Sequence, residues 1–474
     1  MSAGVSVVST TSKRATLASV VGLGMVLIGV GIGSQRLADN SFLTHLATGR
    51  EMLDTGIVRH DVFTWTSGGE PIVVQSWLAS LVYAVIDDLA GFQGLRMLMA
   101  ALAGVVAGLA WLLTERAGSL TNRAMIMVPT LLVGVQAWSE RPLLFAFALL
   151  ALTLVIAEGR GNSRWLVLIG MVWVNVHGSW PLGLVLLAAR WAGGRLEHRP
   201  SGRDKESITW LCLGVMIGGV VNPYGPALLL FPFELLGKRD TLTFVAEWQA
   251  STFDSLWTRA FLVLVAGLLI AARQAGWRLL VPAVVFVVAA FLSARNIPVA
   301  AIVMLPALAA GLPAVRGFDA KRMSSAIDLG AKILILLVVA VPMVAARGPH
   351  VDVDRYPVAA VDAMEELGLG PHTVRVIHQD FVGNYLDLRY GSARATWIDD
   401  RFELHERQLM LDYVELLDGG PGWQEVLRRH APDALLWESD RALVELATSV
   451  DGWAEVWSDD DWSVLCRPDS KSCR

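Results

Sequence analysis

Twelve apolar runs govern what this 474-residue chain can fold into. They cover about residues 18–33, 77–90, 95–114, 124–139, 142–158, 164–176, 179–192, 207–221, 257–272, 279–293, 297–313 and 327–346. Several approach the ~20 residues that a helix needs to cross a bilayer. Only 18% of the residues are charged and 54% are hydrophobic, whereas soluble domains carry about 25% charge. The pattern predicts a mainly α fold, a polytopic transmembrane bundle of about 10–12 hydrophobic helices. From about residue 347 the composition changes to that of a soluble α/β domain. The chain therefore divides into a membrane part, 1–346, and a soluble part, 347–474.

Basic residues orient the bundle. Lys13 and Arg14 precede the first run and keep the N-terminus cytoplasmic, with the run read as an uncleaved first helix. The stretch 190–206 carries Arg190, Arg195, Arg199, Arg203 and Lys205 and reads as a cytoplasmic loop, as do 273–278 and 316–322. This parity places His177, Asn222, Glu247 and Arg295 near the outer face and sends the C-terminal domain outside. It fails at 115–123, whose Arg116 and Arg123 also read as cytoplasmic. One of the two preceding runs then does not cross, and 77–90, interrupted by Asp87-Asp88, is the candidate.

Between the first two runs lies a polar extracytoplasmic loop, about 35–76. Loops this long and polar tend to carry function. Asp39-Asn40-Ser41 offers N-cap chemistry for a helix over 42–53. Phe42, Leu46 and Leu53 share a face, which predicts a short helix lying on the membrane surface, ended by Thr55-Gly56. Further polar clusters interrupt the runs on the same side: Ser139-Glu140-Arg141-Pro142, Asn175 with His177, Asn222-Pro223-Tyr224-Gly225, Glu247-Trp248 and Arg295-Asn296. Ionisable side chains at such positions are costly and need a reason. With Asp39 and Asp61 they suit base catalysis beside a bound phosphate. Each also has a plain structural explanation. Asp39 and Asp61 can cap or turn the chain, and His177 can bond Asn175. The Asn-Pro-Tyr-Gly segment is a turn, Arg141 and Arg295 can anchor helix ends, and His45 and Arg50 can touch headgroups.

In the soluble part, 373–377, 434–437, 454–457 and 462–466 read as strands, and 403–417 and 423–429 as helices. Asp399, Asp400 and Arg401 are its most pointed residues, which an internal salt bridge explains as well as a binding role. Of the three cysteines, Cys212 lies in an apolar run. Cys466 and Cys473 can pair if that end is exported. No Walker loop, dinucleotide fingerprint, HExxH or CxxC framework is present, and no basic nucleic-acid stripe. Nucleotide-driven pumping and nucleic-acid binding are unsupported.

On these residues the chain resembles the GT-C superfamily of polytopic glycosyltransferases, which includes protein O-mannosyltransferases and the aminoarabinose transferases of lipid A. The similarity is greatest to a bacterial branch of such proteins. It runs through Asp39, His45-Leu46, Gly49-Arg50, Asp61 with Thr64, Gln75-Ser76-Trp77-Leu78, Arg141-Pro142 and Asn175 with His177-Gly178. It continues through Asn222-Pro223-Tyr224-Gly225, Glu247-Trp248, Arg295-Asn296, Gly383-Asn384-Tyr385-Leu386 and Ile398-Asp399-Asp400-Arg401. The resemblance implies a polyprenyl-phosphate sugar as donor and a glycan, lipid or protein acceptor at the outer membrane face. It passes the catalytic role of the superfamily's first-loop acid to Asp39 and, second, Asp61; the residues themselves suggest substrate binding by His45, Arg50, Arg141, His177, Glu247 and Arg295. Asp39-Asn40 stands where better-known members have paired acids, so dependence on a divalent metal is left open. Two other readings compete. One is a non-catalytic membrane protein that binds or presents lipid-linked glycans. The other is a transporter, but no inverted repeat with broken helices is visible.

Overall fold

The computed structural model describes residues 17–237, 249–315 and 351–470, with 329, 330 and 333 between them. Lys13, Arg14, Glu247, Trp248, Cys473, the basic stretch 316–322 and most of the run 327–346 lie outside the described residues. The described chain is mostly helical, with a small mixed sheet at its C-terminal end.

The helices follow the apolar runs with instructive departures. They are α1 (Leu17–Gly33), α2 (Asn40–Thr55), α3 (Trp77–Leu113), α4 (Leu120–Ala137), α5 (Leu143–Ala157) and α6 (Leu166–Val176). Next come α7 (Pro181–Leu196), α8 (Gly202–Val220), α9 (Ala227–Gly237), α10 (Leu256–Ala271), α11 (Trp277–Leu292) and α12 (Ile297–Gly311). Two stretches, Trp77–Leu113 and Ala294–Gly311, are long and apolar enough to cross a membrane. Six shorter apolar helices have 10–17 residues. The described chain is thus mostly helical, as expected, but only these two stretches reach the length and hydropathy of a span.

The runs 77–90 and 95–114 form one helix, α3, kinked at Gly91 (φ 59°, ψ −163°). Its first half packs beside α2, where Arg50 Nη2 meets Asp87 Oδ2 at 2.7 Å. The helix α2 does not lie free on a surface. It is clamped between α3 and the C-terminal domain, with Phe42 and Leu46 fully buried and Leu53 about half exposed. A Cβ at Gly49 would stand 1.9 Å from the Ser80 carbonyl oxygen, so the two helices approach backbone to backbone. The expected loop 190–206 is also mostly helix: Arg190 belongs to α7, and Arg203 and Lys205 to α8. Arg190 is buried because Glu158 meets it at 2.5 Å and Asp204 lies 3.9 Å away.

The C-terminal part contains α13 (Val358–Glu366), β1 (Val376–His378), α14 (Asp380–Tyr390), α15 (Arg407–Leu417) and α16 (Trp423–His430). It ends with β2 (Ala434–Glu438), α17 (Ala442–Val450), β3 (Ala454–Ser458) and β4 (Trp462–Cys466). The strand order is β1-β2-β4-β3, with β1 and β2 parallel and the others antiparallel. Alternation along β2 divides the core. Leu435 and Trp437 face α15, α16 and α17, while Ala434 and Leu436 face α13 and α14. Cys466 is in a disulfide and Cys212 is a free, exposed cysteine.

Two backbone bridges tie the first loop to this domain. Leu37 pairs with Val351, and Thr64 pairs with Thr396. Trp65 N–H donates to the Thr396 carbonyl at 2.9 Å, and Thr396 N–H to that of Phe63 at 3.2 Å. The domain is therefore docked on the loop's end of the bundle.

Candidate functional site

Asp39 begins the site because it begins α2. Its backbone is extended (φ −75°, ψ 128°) and its Oδ1 accepts the Ser41 N–H at 3.1 Å, the N-cap anticipated from sequence. Its Oδ2 does something a cap does not require. It accepts Arg141 Nε at 2.6 Å and the Ser139 hydroxyl at 3.2 Å. Glu140 returns the contact, accepting the N–H groups of Ala38 and Asp39. The corner between α4 and α5 and the start of α2 are thus locked reciprocally, with Arg141 held beside Asp39.

The C-terminal domain supplies the second carboxylate. Ser41 hydroxyl donates to Asp400 Oδ2, and Asp400 N–H donates to Asn384 Oδ1 at 3.0 Å. Asn384 Nδ2 donates to the Asn40 carbonyl at 3.1 Å, and the Tyr356 hydroxyl to Asn40 Oδ1 at 3.0 Å. A Cβ at Gly383 would fall 1.9 Å from the Ile398 oxygen. Glycine there lets α14 press Asn384 against the loop that carries Asp400. Burial pushes the Asp400 carboxyl up to about 7, with Asp399 adding to the shift, while Ser41, Asn384 and Arg141 oppose it.

Two histidines complete the cluster. His45, one turn beyond Ser41, has Nδ1 3.2 Å from the Ser80 hydroxyl. Burial, then the positive charges of Arg141 and Arg401, lower it to about 4 against the pull of Asp39. His177 caps the end of α6, and its Nδ1 accepts the Ser179 N–H at 3.0 Å, which leaves Nε2 as the protonated nitrogen of the neutral ring. Burial and the charges of Arg295 and Arg141, joined in acid by protonated His45, lower it to about 3. Both rings are neutral near pH 7 and act as hydrogen-bonding groups. Electrostatic influence thus links Asp39, His45, Arg141, His177 and Arg295.

Two expected members do not join them. Asp61 is fully buried, with Oδ2 accepting the Thr64 hydroxyl at 2.6 Å and Oδ1 meeting Arg401 Nη2 at 2.8 Å. Arg401 also grips Asp399 through Nε at 3.0 Å, and His405 Nε2 lies 3.3 Å from the other Asp399 oxygen. Asp61 is therefore a tie between the loop and the domain, which corrects its assignment as a second catalytic acid. Arg50 stands 11 residues beyond Asp39, about 16 Å along the helix at 1.5 Å per residue, and pairs with Asp87 instead. Glu247 lies outside the described residues.

Asp400, Asn384 and Tyr356 are the members that sequence placed in another domain. Their motifs, Gly383-Asn384 and Asp399-Asp400-Arg401, were visible, but not the contact across about 360 residues of chain. Other quoted motifs are scaffold. Asn222 accepts from Tyr224 N–H at 2.8 Å and donates to three carbonyls, a turn as expected. Trp77 Nε1 donates to Asn175 Oδ1 at 2.8 Å.

A divalent metal finds little here. Among the described residues no three His, Cys, Asp or Glu side chains converge with ligand geometry. Asp39 Oδ2 is taken by Arg141, and Glu140 by backbone N–H groups. No step is therefore derived through a metal. No family model and no curated protein matches this chain.

Proposed function

We propose that the chain is a polytopic membrane glycosyltransferase that moves a sugar from a polyprenyl-phosphate donor to an envelope acceptor. One observation carries the reading. Side chains from the ends of separate apolar helices, Asp39, His45, Arg141, His177 and Arg295, gather with Asp400 where the C-terminal domain is docked. This end of the bundle is the extracytoplasmic one in the proposed topology. The bilayer reading rests on the outward helix faces, where Leu269, Val263, Met125 and Val284 are 72%, 61%, 56% and 52% exposed. Apolar side chains spread over many helices at such exposure suit lipid contact. Clustering at the helix ends favours an interfacial site over a midplane transport site.

In this account Arg141 and Arg295 offset the donor phosphate, and His45 and His177 offer neutral hydrogen bonds. Asp39 is committed to Arg141 and to the α2 cap, which makes it a positioning residue. Among the described residues Asp400 has a hydroxyl and no cation as its bonded side-chain partner, and it takes the base role. It accepts the proton of the acceptor hydroxyl while that oxygen bonds to the anomeric carbon. The bond from that carbon to the phosphate oxygen breaks, and the polyprenyl phosphate leaves with the electron pair. Phosphate is a good leaving group, so positioning and charge stabilisation supply much of the rate.

Envelope glycans from a strain lacking the protein test the reading, by mass spectrometry of lipid and polymer fractions. The proposal expects one sugar to disappear and to return with the wild-type protein but not with Asp39→Asn or Asp400→Asn at equal protein level. If both variants restore the profile in full, binding or presentation of glycans replaces transfer.

A further inference from the structure

A second polar concavity lies on the C-terminal domain, lined by Trp65, His372, Thr373, Arg375, Arg394 and Asp433 among others, with a volume of about 470 Å³. It contains none of the residues given a catalytic role above. Two of its arginines are unlike their neighbours. Arg389, Arg401, Arg428, Arg429, Arg441 and Arg467 each meet a carboxylate within 4.0 Å. The guanidiniums of Arg375 and Arg394 have no ion pair or hydrogen bond among the described residues.

Both are nevertheless held in place. The Arg375 guanidinium carbon stands 5.5 Å from the centre of the Trp65 ring, a cation–π arrangement. Trp65 is in turn edge-on to His430 at 6.3 Å. Arg394 takes the left-handed conformation (φ 56°, ψ 44°), unusual for a non-glycine residue. Its side chain lies against Gly68, where a Cβ would be 3.2 Å from Cζ. The first loop thus contributes Trp65 to the cleft and Gly68 to the seat of Arg394. The acidic group in the cleft is already engaged. Asp433 Oδ2 accepts the Arg375 N–H at 3.1 Å, and Oδ1 accepts the Ser470 hydroxyl at 2.9 Å. His372 Nδ1 lies 3.2 Å from Glu365.

We infer that this cleft binds an oxyanion, phosphate or carboxylate, between Arg375 and Arg394. Planar guanidiniums match such groups bidentately, and the volume exceeds what one phosphate fills, which favours an anion borne on a larger molecule such as an acidic glycan. The inference goes beyond the transfer reaction and does not depend on it.

Calorimetric titration of the full-length protein in detergent tests it, with tetragalacturonate, inorganic phosphate and neutral maltotetraose as probes. Tetragalacturonate or phosphate should bind and maltotetraose should not. Arg375→Gln and Arg394→Gln should each weaken binding about tenfold, the double variant should abolish it, and Arg375→Lys should recover part. Both residues are exposed, so thermal melts should be unchanged. Tighter binding of tetragalacturonate than of phosphate assigns the site to a polymer-borne anion, and the reverse assigns it to free phosphate. Failure of both probes to bind, equal binding of maltotetraose, or wild-type binding by the double variant would overturn the inference.

Discussion

Two clusters join the first loop to the C-terminal domain, and each is built on two aspartates with arginine and histidine beside them. In one, Asp61, Asp399, Arg401 and His405 are closed off: both aspartates are fully buried, and Arg401 grips both. Burial disfavours charge on Asp399, yet Arg401 and His405 hold it well below the usual carboxylate range. In the other, Asp39, Asp400, Arg141 and His45 are each only partly buried. Arg141 is bonded to Asp39 and is 33% exposed at its side chain, while Asp400 bonds to a hydroxyl. The same residue types therefore serve opposite ends. A deeply buried, ion-paired set holds two parts of a fold together; a partly exposed set is available for chemistry.

The comparison breaks first at Asp61. Asp61→Ala leaves Arg401 with one buried partner fewer, and losing one member of a buried pair costs about 3–5 kcal/mol. Denaturant unfolding of the detergent-solubilised protein should show that loss. A variant as stable as wild type would mean that the closed cluster does not anchor the domain.

Next is Asp400. A general base contributes about 10²–10⁴-fold, so Asp400→Asn should lower the rate of sugar incorporation by that order while the protein remains folded. Retention of the wild-type rate would return the base role to Asp39.

The same residue sets a pH dependence. Transfer should rise about tenfold per unit as pH increases towards 7 and level off above it, as the base loses its proton. Stability should move the other way. The folded Asp400 carboxyl is raised to about 7 from an unfolded value near 3.9, so the folded chain binds the extra proton. Its contribution is full below about 4 and is lost as pH rises to about 7. Melting curves across that window should slope downward for wild type, and Asp400→Asn should flatten the slope.

The smallest effect is expected at Arg50. Its pair with Asp87 is partly exposed, so Arg50→Ala should cost about 1 kcal/mol or less and leave sugar incorporation unchanged. A large loss of incorporation at normal stability would restore Arg50 to substrate binding.

What the sequence disclosed and what it hid divides along the same line. The N-cap at Asp39, the turn at Asn222 and all four strands of the C-terminal sheet were legible because local spacing and composition specify them. The gathering of Arg141, His177 and Arg295 was legible because polar residues interrupting apolar runs carry a cost that invites explanation. Asp61 was misread because nothing local distinguishes an aspartate that meets Arg401 across 340 residues from a catalytic one. The surface placement of α2 was misread for the same reason. Phe42 and Leu46 suit a membrane interface as well as the groove between α3 and α14 that buries them.

The most direct measurement compares Asp400→Asn and Asp61→Asn in the strain lacking the protein, with envelope sugar and folded protein quantified together. The account predicts that Asp400→Asn accumulates as folded protein without restoring the sugar. Asp61→Asn should instead lower the amount of folded protein, with sugar restored in proportion to what remains. Full restoration by Asp400→Asn, or normal folding of Asp61→Asn with no sugar, would contradict the division of labour between the two clusters.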